Sequence, residues 1–198
     1  KSLFRFKVVA GLFVSLALVY ISAHAVQSNW SYYTIEKFGW KPKDIGISLG
    51  VIGLVFAIVQ GGLIRFIIPK LGQQRSVYVG LALYALGFLL YAFATQGWMM
   101  YAFTVVYCLG GIAGPALQGI MSTVLPPNEQ GELQGGFTSM MSAASIIGPP
   151  IMNNLFSYFT APNAPIYFPG AAMLLGAVLT LGSTLLARMA LKKNLQAH

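Results

Sequence analysis

The side chains that could do chemistry in the apolar parts of this sequence are few and neutral. They are one imidazole and a set of carboxamides, namely His24, Gln27, Gln60, Gln118, Asn153 and Asn154. Such groups form directional hydrogen bonds either to a ligand in a mostly aromatic cavity or to a neighbouring helix. His24 and Gln27 are three residues apart and share a helical face with Tyr20, while Phe56 lies one turn before Gln60. The predicted ligand-facing residues are Gln60, Phe56, His24, Gln27, Gln118 and Asn153, and interhelical hydrogen bonding is the alternative for each polar residue.

Enzymatic and metal chemistry lack the residues that they need in these apolar stretches. An intramembrane enzyme requires a nucleophile with a base, a pair of acids or a metal cluster. No Asp, Glu, Lys or Arg lies deep in the stretches, and Arg65 near one end comes closest. His24, His198 and the single cysteine, Cys108, have no familiar ligand spacing. We predict no enzyme, no metal and no cofactor, and a proton-driven protein would need its buried acid elsewhere.

The composition indicates an integral membrane protein. The chain has 198 residues, of which 57% are hydrophobic and only 8% charged, too few to cover a water-exposed surface. The net charge of +8 could suggest nucleic acid. However, nine of the twelve Lys and Arg residues cluster at three loop or terminal segments. Anchoring at lipid headgroups explains that pattern better, so the expected partner is the bilayer and not nucleic acid.

Six apolar segments are long enough to cross a bilayer, for which about 20 residues suffice. They lack the alternation of apolar and polar residues found in barrel strands, so we predict an all-α fold. We expect Pro69, Gly72 and the nearby basic residues to end the second segment. The predicted spans are 8–27, 45–68, 77–94, 99–124, 136–159 and 166–190.

The distribution of basic residues predicts the orientation of these spans. An even number of spans places both termini on one side. That side collects nine Lys and Arg residues, whereas the other has only Lys37, Lys41 and Lys43, so both termini are expected in the cytoplasm. The tryptophans support this, because Trp30, Trp40 and Trp98 all fall at predicted outer ends, the headgroup level that aromatic rings favour. The expected location is the inner (plasma) membrane.

Glycine and proline residues inside the spans suggest close packing and bends. Small residues recur four apart at Gly110 and Gly114, which permits close approach of helices and, as an alternative, sliding between states. Pro115 and the Gly148-Pro149-Pro150 sequence lie inside predicted helices, where each proline removes a backbone hydrogen bond and bends the helix. These bends are either structural or placed beside a substrate pathway.

Two acids lie in the loop between the fourth and fifth spans. Glu129 and Glu132 fall near the start of the fifth span, where they can complement the positive helix N-terminus. We expect Glu132 to pair with a base such as Arg75. Solvation alone is the alternative.

A series of motifs resembles a known transporter family. They are FGW at 38–40, IGISLG at 45–50, LGQQR at 71–75, FATQGWM at 93–99, GGIAGPALQGIMS at 110–122, QGELQGG at 130–136 and SIIGPP at 145–150. In this order the chain resembles the C-terminal six-helix half of a major facilitator superfamily transporter. More narrowly, it is similar to the tetracycline-resistance-like group of drug:proton antiporters.

The resemblance implies twelve spans in two pseudo-symmetric halves, with substrate bound between them near the midplane. It implies that the spans of Gln60, Gln118 and Asn153 line the cavity. It also assigns conformational roles to motif residues, namely Gly72, Arg75, Gly114, Pro115, Glu132, Gly148 and Pro149. The antiporters of this group carry a histidine at the position of Phe56 and an aspartate at that of Tyr84.

We therefore expect half of a secondary active transporter that exports an amphipathic small molecule in exchange for protons. Its expected partner is an N-terminal six-span half, since Lys1 rather than Met precedes the first apolar run and the chain reads as a piece of a longer protein. The alternatives are a superfamily carrier of a sugar or metabolite, and a six-span membrane assembly that works as a homodimer.

Overall fold

The computed structural model describes residues 2–195, and the side chains of residues 8–192. Lys1 and His198 lie outside the described residues, as do the side chains of Arg5, Lys7 and Lys193. Within residues 2–195 all of the regular structure is helical. The elements are α1 (Ser2–Gln27), α2 (Trp30–Phe38), α3 (Pro42–Ile58), a π-helical turn (Val59–Leu63), α4 (Ile64–Leu71), α5 (Gln73–Phe93), α6 (Gly97–Gly110), α7 (Ala113–Val124), a short 3₁₀ turn (Pro127–Glu129), α8 (Gln130–Thr160) and α9 (Ala171–Leu195).

Five helical stretches of the described residues are long and apolar enough to cross a membrane. They are Val8–Gln27, Pro42–Leu71, Gln73–Phe93, Gly97–Val124 and Ala171–Lys192. The predicted fifth span, 136–159, falls within α8, which has 31 residues but is not among these five. Its serines, glycines, prolines and asparagines lower its hydrophobicity. The structure thus shows an all-helical membrane fold with five apolar spans and one long, more polar helix.

Helix boundaries follow local backbone chemistry. Asp44 accepts a hydrogen bond from the backbone N–H of Lys41 at 3.0 Å, so α3 begins at Pro42, before the predicted start of its span. The same span continues through Pro69 and ends at Gly72, whose φ of 80° breaks the helix. The last helix begins at Ala171, not at the predicted residue 166, because Pro169 and Gly170 form a turn before it.

Small and polar residues hold the long helices together. Helix α9 packs against α1 and α5, and α5 packs in turn against α6 and α7. Between α1 and α9 the hydroxyl oxygens of Ser15 and Ser183 lie 2.7 Å apart, and each hydroxyl also lies within hydrogen-bond distance of the other residue's carbonyl oxygen. Lipid tails are as apolar as the helix surfaces, so the hydrophobic effect does little to bring helices together in a bilayer. Hydrogen bonds of this kind and close packing stabilise the association instead.

The short helix α2 caps one end of the bundle, called here the α2 end. The Tyr33 hydroxyl donates to the carbonyl of Tyr91, and Lys37 Nζ donates to that of Ala92 at 3.1 Å. These are last-turn carbonyls of α5, where a helix favours a cation, and that of Tyr91 also accepts from the N–H of Ala94 at 3.4 Å. Burial lowers the pKa of Lys37 and raises that of Tyr33. Trp30 also donates to Ser48 of α3 at 2.9 Å, so side chains of α2 bond to both α5 and α3.

Candidate functional site

Two adjoining cavities lie between α1, the α3–α4 span, α5 and the α6–α7 span. One has a volume of about 220 Å³ and the other of about 440 Å³. They share four lining residues, which are Gln27, Phe56, Gln60 and Tyr84. No Asp, Glu, Lys, Arg or His lines either cavity within the described residues. We refer to the pair as the central cavity, which is aromatic and apolar and has two carboxamides.

Gln60 is both a wall of this cavity and an interhelical bridge. Its Nε2 donates to the carbonyl oxygen of Gly111 at 3.1 Å. In a continuous helix that carbonyl would accept from residue 115, but Pro115 has no N–H. The span is interrupted there, with α6 ending at Gly110 and α7 beginning at Ala113. Gln60 itself lies in the π-helical turn, so the bond joins two irregular backbone segments.

The α1 residues predicted to share one face are divided between two surroundings. Tyr20 and Gln27 line the central cavity, and Gln27 is exposed. His24 is buried against α8, where its ring occupies the space that a Cβ on Gly148 would need. His24 is absent from the described lining of the cavity. The interval of three residues turns a helix by about 60° short of a full turn, enough to separate the two side chains.

Gln118 and Asn153 occupy different positions. Gln118 Nε2 donates to the Tyr20 hydroxyl at 3.1 Å, so it supports a lining residue from behind. Asn153 is half-buried in α8, and its Oδ1 has no hydrogen-bond partner in the part of the chain that the structure describes. Both polar atoms of the buried Asn29 are also without a partner there, which the sequence analysis did not anticipate. Ordered water commonly satisfies such atoms.

The two proline motifs differ in their effect on the backbone. The span that contains Gly114 and Pro115 is interrupted, and both residues line the central cavity. Helix α8 continues without interruption through Pro149 and Pro150. The tight packing of Gly148 on His24 therefore occurs within one long helix.

At the end opposite α2, the motif residues border separate pockets. Gly72 and Arg75 border one pocket, in which Gly72 precedes α5. Glu129 and Glu132 border another, together with the apolar side chains of Val9 and Phe13. The structure thus does not bring Glu132 and Arg75 into one pocket.

Two tyrosines form a part of the site that sequence analysis missed. Tyr84 and Tyr107 stack with ring centroids 4.7 Å apart, and the Tyr84 hydroxyl lies 3.3 Å from that of Tyr107. Both border the larger cavity. Their approach depends on Gly87 and Gly110, because a Cβ on either would collide with the other helix at Tyr107 or Tyr84. The Tyr-x-x-Gly spacing that both helices share, at 84–87 and 107–110, was the available signal, because in antiparallel neighbours each tyrosine then meets the glycine of the other helix.

The helices, the broken spans and the central cavity define a multi-pass membrane protein with an internal cavity. Residues 11–196 match the Major Facilitator Superfamily, and the chain belongs to this family.

Among curated proteins the chain is similar to bacterial tetracycline resistance proteins. It is 33% identical to the class G protein of Vibrio anguillarum over 83% of this chain and 42% of that protein. It is 31% identical to the class C protein of Escherichia coli over 85% of this chain and 43% of that protein. A human relative, Hippocampus abundant transcript-like protein 1, is 24% identical over 88% of this chain and 37% of that protein. The chain spans less than half the length of these relatives.

Proposed function

We propose that this chain is the C-terminal half of a secondary active transporter that exports an amphipathic small molecule in exchange for protons. Family membership and the tetracycline resistance relatives support the transport class. The main observation in its favour is the uncharged, aromatic central cavity, which lies where two irregular spans meet. Few polar contacts within apolar walls suit a ligand that is itself mostly apolar.

The irregular backbone beside the cavity supports a moving site. Membrane-spanning transporters bind substrate where helices are interrupted, because unwound segments present free backbone groups and can change shape. Here the carbonyl of Gly111, which has no backbone donor, accepts a hydrogen bond from Gln60. A rearrangement of either span would exchange this bond for a contact with substrate. Gln60, Phe56 and Gln27 are the proposed first contacts of the substrate on this half.

A second half is proposed to complete the cavity. The span Pro42–Leu71 buries only Ile45, Ser48 and Val59, although it is strongly apolar. Glycines on it and on α8 leave open space, including Gly46, Gly50, Gly131 and Gly135. Smooth surfaces of this kind suit another helical bundle. We assign them to an N-terminal half, with a second copy of this chain as the alternative.

The coupling acid is proposed to lie in that second half. Within the described residues, no carboxylate or imidazole lines the central cavity of this half, where Phe56 and Tyr84 stand instead. A proton-coupled transporter requires an ionisable group that both solutions can reach in turn.

The proposed topology follows the distribution of basic residues. Both termini of this chain are assigned to the cytoplasm, and α8 is assigned as the sixth span in the plasma membrane.

Transport in inside-out vesicles tests the proposal. Vesicles that contain the full-length protein would be acidified inside by respiration and then given tetracycline, the probe that the relatives' names suggest. Uptake that collapses when the proton gradient is dissipated supports proton-coupled export. The matched control is the same vesicle carrying the Gly114→Leu variant, which fills part of the cavity at a lining position where an added Cβ meets no atom within 4 Å. Equal uptake with and without the gradient would exclude proton coupling.

Panels of neutral aromatic compounds, sugars and small metabolites would extend the same assay. Competition with tetracycline uptake by aromatic compounds, but not by sugars, supports the amphipathic substrate class. Competition by sugars alone would instead favour a metabolite carrier.

A further inference from the structure

The hydroxyls of Tyr84 and Tyr107 leave one hydrogen-bond donor unused beside the central cavity. Their oxygens are 3.3 Å apart, and one hydroxyl hydrogen lies between them. Each hydroxyl carries a single hydrogen, so the pair has one more to donate. No carbonyl or side chain of the described residues accepts it. Both residues border the larger cavity, where a ligand could supply the acceptor.

In the neighbouring pair of Tyr91 and Thr104, on the same two helices, every hydroxyl hydrogen has an acceptor. The Tyr91 hydroxyl lies 2.7 Å from Oγ1 of Thr104, and Oγ1 donates to the carbonyl of Met100 at 2.8 Å. Both hydrogens of that pair therefore have acceptors inside the protein. Tyr91 does not line either part of the central cavity.

Tyr20, which also lines the cavity, accepts from Gln118, so its hydroxyl hydrogen likewise has no acceptor among the described residues. What sets Tyr84 and Tyr107 apart is that two such hydroxyls lie side by side on stacked rings.

The pair is held in one geometry. The rings of Tyr84 and Tyr107 stack at an interplanar angle of 23°, and Phe88 meets each ring edge-on at centroid distances of 5.4 and 5.2 Å. Both tyrosines are buried, with 5% and 3% of their surfaces exposed. A rigid donor that is already out of water loses little entropy on binding, so it favours ligands that carry a matching acceptor.

We propose that the Tyr84–Tyr107 pair is a substrate-recognition element, specific for planar conjugated compounds with a carbonyl-type acceptor. This inference rests on the proposed function, since it assigns a substrate class to the same cavity. Phe56, half-buried in the cavity lining, offers an aromatic surface to such a compound. The acceptor oxygen takes the free hydroxyl hydrogen of the pair. Selectivity then arises because a ligand without the acceptor leaves that buried donor unpaired.

Two probes of the same shape test the proposal: anthraquinone, which has two carbonyl acceptors, and anthracene, which has none. Binding of each would be measured by quenching of protein fluorescence, using the full-length protein in nanodiscs and protein-free nanodiscs to subtract partition. We expect anthraquinone to bind about three- to tenfold more tightly. The double variant Tyr84→Phe, Tyr107→Phe keeps the rings and should lose this preference.

Tyr91→Phe is the matched control, because it removes a buried tyrosine hydroxyl outside the cavity and should preserve the preference. Melting temperatures of all variants show whether each is folded. Equal affinity of the parent for both probes, absence of binding by either, or a preserved preference in the double variant would overturn the proposal. Vesicle transport separates this outcome from the wider one: proton-driven tetracycline uptake without the probe preference refutes the tyrosine assignment alone.

Discussion

Gln60 Nε2 donates to the carbonyl oxygen of Gly111 across 3.1 Å and thereby replaces the backbone donor that Pro115 cannot supply. The bond links the π-helical turn of one span to the interruption of another. The same carboxamide borders the central cavity. We therefore expect stability and the proposed ligand binding to be coupled through one side chain, which leads to two predictions.

Replacing Gln60 with Ala should lower both stability and substrate affinity. The Gly111 carbonyl loses its partner, which costs about 0.5–1.5 kcal/mol of unfolding free energy, and the cavity loses a polar contact. Thermal unfolding and ligand affinity would be measured on the same purified full-length protein. Gln27→Ala is the matched control, because Gln27 is an exposed cavity carboxamide without a hydrogen bond to the described residues. It should weaken binding alone. A Gln60→Ala protein with an unchanged melting temperature would contradict the bridging role.

The exchange Pro115→Ala should rescue the Gln60→Ala protein. Residue 115 then has an N–H that can donate to the Gly111 carbonyl, as in a continuous helix. We expect the double variant to recover most of the lost stability, whereas Pro115→Ala alone should change the parent little, because its carbonyl already has a donor. A double-mutant cycle in melting temperature measures this coupling. Additive effects would show that the proline and the glutamine act independently.

Gly148→Ala should destabilise the contact between α1 and α8. An added Cβ would lie 2.7 Å from Cγ of His24, so the ring or the helix has to move. Such overpacking costs about 1–3 kcal/mol. Gly135→Ala, on the same helix but with no atom within 4 Å of its Cβ, should be tolerated. Combining Gly148→Ala with His24→Ala should recover only part of the melting temperature, because the Cβ of residue 24 would still lie 2.9 Å from the added Cβ, and absence of any recovery would point to a cause other than the imidazole ring.

Tyr167 and Glu36 should make stability depend on pH at the α2 end. The tyrosine hydroxyl donates to Glu36 Oε1 at 2.7 Å, and this hydrogen bond, more than burial, raises the pKa of Tyr167. A raised folded-state pKa means that the contribution is complete below the ordinary value of about 10 and is lost as pH rises through the raised value. The melting-temperature gap between the parent and Tyr167→Phe should therefore stay constant up to about pH 10 and close above it.

Tyr158→Phe serves as the control for that series, since Tyr158 is an exposed tyrosine outside this bond. Its gap from the parent should remain near zero at every pH. A gap for Tyr167→Phe that is independent of pH would mean that the hydroxyl contributes without the Glu36 bond.

Hydropathy was sufficient for the five apolar spans, because an uninterrupted apolar stretch has few other stable structures in a bilayer. It was insufficient for α8, which is less apolar than the other five, so its place as a sixth span stays a prediction. Sequence also indicated Gln60 as a residue with two possible roles, cavity contact and interhelical bond, and the geometry places it in both positions.

Long-range partners were beyond the sequence. The Gln60–Gly111 bond joins residues 51 positions apart, and the Tyr84–Tyr107 contact depends on the register of two helices. Helical periodicity predicted one shared face for His24 and Gln27. In the structure His24 packs against α8 and Gln27 lines the central cavity. This division depends on where α8 packs, which the sequence did not indicate. Tertiary packing thus determined what each of these residues contacts.

Accessibility of single cysteines tests the proposed topology. The Tyr167–Glu36 bond places the α8–α9 loop and the α2 segment at one end of the bundle, while α5 begins at the opposite end. Cysteines introduced at Lys41 and Asn163, both exposed, should therefore react with an impermeant thiol reagent in intact cells, and one at Gln74 should not. The native Cys108 is buried and should stay silent in a full-length protein otherwise depleted of cysteine. Permeabilised cells give the reactivity of Gln74→Cys as the control. Labelling of Gln74→Cys alone in intact cells would reverse the orientation of the whole half, since all three positions belong to one helical bundle.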